Sequence, residues 1–94
     1  MNLEVHIKSV RGSQMAAKIT GIFNIDSHSF KFSAIAFGRI GGHNIGAKIS
    51  KSVQKELVTL GYDVDAVIGE LQQKLVRGDI SLPEGLTKES FADD

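Results

Sequence analysis

The sequence predicts an α+β fold: a four-stranded antiparallel β-meander followed by a two-helix hairpin packed on one sheet face. Three observations predict it. Apolar and polar residues alternate through much of the first fifty positions, the two-residue period of half-buried strands. Turn-forming clusters interrupt the alternation at Arg11-Gly12-Ser13, Asp26-Ser27-His28-Ser29 and Gly41-Gly42. Beyond Ser50 the apolar residues change to helical spacing, first over Val53, Leu57 and Leu60, then over Val64, Val67, Ile68, Leu71 and Leu75.

The first strand is read from Leu3-Glu-Val-His-Ile-Lys, with Leu3, Val5 and Ile7 facing inward. The second, about 15–25, turns Ala17, Ile19, Gly21, Phe23 and Ile25 to the core. The third, about 30–39, does the same with Phe30, Phe32, Ala34 and Ala36. A hairpin around Ser27-His28 then pairs Ile25 with Phe30, Phe23 with Phe32, Gly21 with Ala34 and Ile19 with Ala36. Every inward position meets another inward position, and the small Gly21–Ala34 pair would let a helix come close to the sheet. A type I′ turn at Gly41-Gly42 leads to a fourth strand over 43–49, setting Ala36 against Ala47 and Ala34 against Ile49. The competing reading is a glycine-rich loop from Gly38 to Gly46 that opens a helix at Ala47.

Ser50 is placed to cap the first helix and Gly61 to end it. Asp63 caps the second, and Gly78 stops it. Glu70 and Lys74 are spaced as an i,i+4 ion pair. Asp79-Ile-Ser-Leu-Pro83 is extended and suited to dock on a sheet edge. One domain is assigned to 1–86, with 87–94 as a frayed acidic tail.

The 94 residues include no cysteine, which excludes disulfides, a thiol nucleophile and Cys-ligated metals. That composition fits a reducing cytoplasm. No basic region leads into an apolar stretch near Met1, so no signal peptide is expected. The longest apolar run, Ala34–Phe37, is far short of a membrane span. The net charge is zero, but residues 1–55 carry +6 and residues 56–94 carry −6. Such asymmetry points to an anionic partner or a basic working face, or is simple placement with a solvating acidic tail.

Catalytic and cofactor motifs fare poorly. Gly41…Gly46 before Ala47-Lys48 lacks the spacing of a phosphate-binding loop and is followed by Ile49 in place of Ser or Thr. His6 and His43 fall on the first and fourth strands, roughly 14 Å apart at about 4.8 Å per strand. His28 lies in a turn, so the three histidines make no metal site, and neither metal nor cofactor is expected. No GxSxG nucleophile motif occurs. Asp63 and Asp65, two apart on a helix, do not face each other, and capping explains Asp63 better than acid–base chemistry does.

The informative feature is the sheet face turned away from the helices. It is expected to carry Lys8, Lys18, Lys31, Arg39 and Lys48 against the single acid Glu4, with Ile22, Ile35 and Phe37 among them. Phe37 is expected to neighbour Lys18 across one hairpin and Gly46 across the other. An apolar cluster ringed by bases suits a protein interface, with Phe37, Ile35 and Ile22 as anchors and Lys18, Arg39 and Lys48 for steering. It also suits single-stranded nucleic acid stacked on an aromatic ring. A third reading covers the face with the C-terminal segment or with a second copy of the chain.

One aromatic on that face, where RNA-binding sheets offer two or three, favours a protein partner. The expected function is therefore a non-catalytic binding module that engages a protein. Nucleic-acid binding on the same face is the alternative, and a homo-oligomeric structural protein the second alternative. The order of four strands then two helices resembles that of some small phage-encoded inhibitors, including one type of anti-CRISPR protein. The likeness is one of layout and implies an inhibitor or adaptor that acts on a larger protein, with no residue role carried over.

Overall fold

The computed structural model describes residues 2–12, 16–37 and 45–83. Four antiparallel strands, β1 (Leu3–Gly12), β2 (Ala17–Ile25), β3 (His28–Ala36) and β4 (Ile45–Lys48), lie side by side in chain order. Two helices follow, α1 (Lys51–Thr59) and α2 (Val64–Arg77). The fold is the α+β arrangement that the alternation predicts, and the stretch after the glycines is strand, not helix.

The inner face has the expected phase. Leu3, Val5, Ile7, Ile19, Phe23, Ile25, Phe30, Phe32, Ala34, Ala36 and Ile45 are buried beneath the helices. Phe23 lies directly opposite Phe30 with ring centroids 5.4 Å apart, and Phe32 adds a second contact at 6.3 Å. Tilted aromatic pairs of this kind contribute about 0.5–1.5 kcal/mol beyond their buried area.

Both pairings are shifted by two residues from those expected, and the β2–β3 hairpin is tighter for it. Ile25 pairs with His28, Phe23 with Phe30, Gly21 with Phe32 and Ile19 with Ala34. The turn is the two residues Asp26-Ser27, made possible by Asp26 at φ 55°, a left-handed conformation that Asp tolerates better than most residues. Next to the turn, the Ser29 hydroxyl donates to Asn24 Oδ1 at 2.6 Å. On the other side of β3, Ala34 pairs with Ala47 and Ala36 with Ile45. A shift of two leaves every side chain on its own face, which is why the core assignment holds although the pairings do not. Gly41, Gly42 and His43 lie outside the described residues.

The first strand differs more. It continues through Arg11 and Gly12, where a turn was expected, and carries a bulge: Ile7 pairs with Gly21 but Ser9 with Thr20, leaving Lys8 as the extra residue. The bulge reverses the in–out alternation, so Val10 packs against the core while Ser9 and Arg11 turn outward. Gly21 is needed here for a reason other than helix approach. A β-carbon on it would lie 2.3 Å from the His6 carbonyl oxygen.

The helices begin and end where their caps are written. Val53 N–H donates to Ser50 Oγ at 3.2 Å, and Asp65 and Ala66 N–H donate to Asp63 Oδ1 at 3.0 and 3.3 Å. Gly61 at φ 90° and Gly78 at φ 72° take the left-handed conformation that follows each helix. α2 buries Val67, Leu71 and Leu75 while packing against β4 and β1. Each such side chain contributes roughly 1.5–3 kcal/mol by leaving water. α1 buries only Leu57. Its expected core residue Leu60 is the cap position beyond the last turn and is exposed. Lys74 pairs with Asp79 at 3.0 Å, just past the helix end, and not with Glu70.

Both sheet edges have some of their backbone groups engaged by other parts of the chain. The 79–83 segment docks parallel to β1, where Ile7 N–H donates to the Ser81 carbonyl (2.8 Å) and Ser81 N–H donates to the Val5 carbonyl (2.9 Å). At the opposite edge the Gln72 carboxamide stands in for a neighbouring strand. Its oxygen accepts from Ala47 N–H at 2.8 Å and its nitrogen donates to the Ile45 carbonyl.

Candidate functional site

The strand registers arrange the outer face into cross-strand rows. One row runs Arg11, Lys18, Ile35, Gly46. The next runs Ser9, Thr20, Ser33, Lys48, and its first two hydroxyls are hydrogen-bonded at 2.5 Å. Beyond the bulge come His6, Ile22, Lys31, then Glu4, Asn24, Ser29. Four cations therefore stand on the rows with Glu4 as the one acid, and the acid occupies the end farthest from Arg11 and Lys18. Over the seven residues from Glu4 to Arg11 the separation is about 23 Å at 3.3 Å per residue. That exceeds the screening length of roughly 8 Å at physiological salt, so Glu4 does little to offset them.

The predicted site residues meet different fates. Ile35 takes the position expected for Phe37: it lies between Lys18 and Gly46, 49% exposed. A β-carbon on Gly46 would have no neighbour within 4 Å, so the β4 flank of Ile35 is open. Phe37 follows just past the end of β3 and is 55% exposed. Lys18 and Lys48 are exposed on β2 and β4. Ile22 is half-buried two rows away, between His6 and Lys31, and does not join Ile35 in one cluster. Arg39 lies outside the described residues.

Arg11 is the residue that strand periodicity missed. Read as turn material, it is instead an exposed strand residue directly opposite Lys18. The signal was present: after Leu3, Val5 and Ile7 the next apolar residue is Val10, at the wrong parity, and one extra residue between them restores it. Ser9, Arg11, Lys18 and Thr20 line a shallow hollow of about 290 Å³. A second hollow of about 370 Å³ lies where the docked 81–83 segment meets Lys8, Ile22 and Asn24.

Other surfaces are poorer in chemistry. Val58 is exposed on α1, and Leu60 is exposed just past its end. The Tyr62 hydroxyl donates to Asp26 Oδ2 at 2.5 Å, joining the α1–α2 connection to the β2–β3 turn. That hydrogen bond, then partial burial, then the negative charge of Asp26 raise the Tyr62 pKa above the usual 10.0.

Among the described residues no ionisable side chain is buried, no buried side-chain polar atom lacks a partner, and no three His, Asp or Glu residues are placed to hold a metal. No helix among them is long and apolar enough to cross a membrane. The outer face offers cations, hydroxyls and the exposed Ile35, and Phe37 is exposed just past the end of β3. Comparison with protein-family models, curated proteins and solved structures finds no match, so the likeness to phage inhibitors rests on element order alone.

Proposed function

We propose that the protein is a non-catalytic binding module whose outer sheet face docks an acidic protein surface. The observation that carries this reading is Ile35, half exposed at mid-sheet between Lys18 and the bare Gly46, with Phe37 two residues beyond. Burying the exposed parts of both side chains supplies a favourable apolar term of roughly 25 cal/mol per Å². Arg11, Lys18, Lys31 and Lys48 select partners of opposite sign and speed their encounter. Self-association through a sheet edge has less support, because Ser81 and Gln72 already engage edge groups of β1 and β4.

The test is capture from cell lysate on wild-type, Ile35→Asp and Phe37→Asp baits, followed by purification and rebinding of the retained protein. The reading expects a protein that rebinds the wild type directly and neither variant. Equal rebinding to all three refutes it. A second reading, single-stranded nucleic acid, is favoured by the Arg11–Lys18 pair on the sheet and the exposed aromatic Phe37 just past β3. It expects nuclease treatment to abolish retention and oligonucleotide affinity to fall steeply with salt.

A further inference from the structure

The bulge in β1 does more than fit the strand to its neighbour. It turns Arg11 out to stand directly opposite Lys18, and it aligns Ser9 with Thr20 in the next row. Two like charges facing each other across an antiparallel pair oppose the sheet that carries them. No acid lies near them on the rows, and among the described residues the one ion pair is Lys74–Asp79, elsewhere. We infer that Ser9, Arg11, Lys18 and Thr20 form an oxyanion-binding site whose ligand class is a phosphate monoester or free phosphate.

The chemistry favours a dianion over a carboxylate. Arg11 presents a planar fork of N–H donors and Lys18 a mobile ammonium, so a doubly charged group between them is neutralised from two strands. The Ser9–Thr20 hydrogen bond consumes one of the two hydroxyl hydrogens, and the other is free to donate to an anion. The hollow of about 290 Å³ is open on one side, as a group carried on a larger molecule requires. A free phosphate and a phosphoryl group on a peptide share this chemistry. The site does not depend on the docking role proposed above.

The experiment is a titration of isotope-labelled full-length protein with sodium phosphate, chloride holding ionic strength constant, read by backbone amide shifts. A second arm uses a phosphoserine peptide and its unphosphorylated counterpart. The shifts should saturate at Ser9, Arg11, Lys18 and Thr20. Arg11→Gln and Lys18→Gln should each weaken binding at least about tenfold, as loss of one charge-assisted contact does. Lys31→Gln should leave it unchanged. Tighter binding of the phosphopeptide than of phosphate assigns the site to a carried group, and equal binding assigns it to the free ion.

A thermal readout separates the site from a structural role. Arg11→Gln should raise the melting temperature of the free protein by relieving like-charge repulsion while lowering its phosphate affinity. Phosphate should raise the melting temperature of the wild type but not of a variant carrying both Arg11→Gln and Lys18→Gln. Shifts that grow linearly without saturating, or a Lys31→Gln loss equal to that of Lys18→Gln, would overturn the assignment.

Discussion

Gly21 lies so close to His6 that a β-carbon on it would sit 2.3 Å from the His6 carbonyl oxygen and 2.9 Å from the Phe32 ring. The contact occurs where β1 bulges, so Gly21 makes room for the irregularity that re-aims Arg11. Gly21→Ala gains about 0.4–1 kcal/mol from a stiffer unfolded chain. Against it stands overpacking of about 1–3 kcal/mol, and the obstructing atom is backbone, which cannot rotate away. The steric term wins. Denaturant unfolding should show a lower midpoint at unchanged slope, and a neutral result would mean that the bulge is absent.

The Gln72 carboxamide pairs with β4 as a strand would, through Ala47 N–H and the Ile45 carbonyl. Gln72→Leu keeps the bulk of the side chain and deletes both partners. Leaving partly buried backbone groups unmatched should cost about 1–3 kcal/mol. It also bares an edge that can template another chain. Thermal unfolding and light scattering should report a less stable and more associating protein. Loss of stability without any association would restrict Gln72 to a satisfying role.

Tyr62 should ionise above its usual pKa, because deprotonation breaks its hydrogen bond to Asp26 and places two negative charges together. A folded-state pKa raised above the unfolded value means that the contribution is fully present below about pH 10 and is lost as pH rises through the folded value. The phenolate absorbance should therefore have its midpoint above 10, and Asp26→Asn should move it down. A midpoint at or below 10 in the wild type would show that the contact does not persist in solution.

Strand phase was legible because it depends only on the two-residue period, which survives a two-residue error in hairpin register. Hence the buried set around Ile19, Phe23, Phe30 and Ala34 could be named without knowing that the Asp26-Ser27 turn is tight. The caps at Ser50, Asp63 and Gly78 were legible because each is a local chemical demand. The pairings themselves were not, since a two-residue and a four-residue turn both satisfy the pattern. That ambiguity exchanged Ile35 for Phe37 beside Lys18. Arg11 was hidden by a bulge, whose trace in sequence is one displaced apolar residue, Val10. The role of Gln72 was invisible because it joins residues 25 and 27 positions apart through a side chain.

Docking through the outer face is tested most directly by calorimetric titration of the purified partner against two variants. Ile35→Asp puts a charge on the sheet face, and Val58→Asp puts the same charge on the rival exposed apolar position of α1. Affinity should fall at least about tenfold, or 1.4 kcal/mol, for Ile35→Asp and stay at the wild-type value for Val58→Asp. The opposite pattern, with Ile35→Asp binding normally and Val58→Asp impaired, would place the interface on the helices and contradict the proposal.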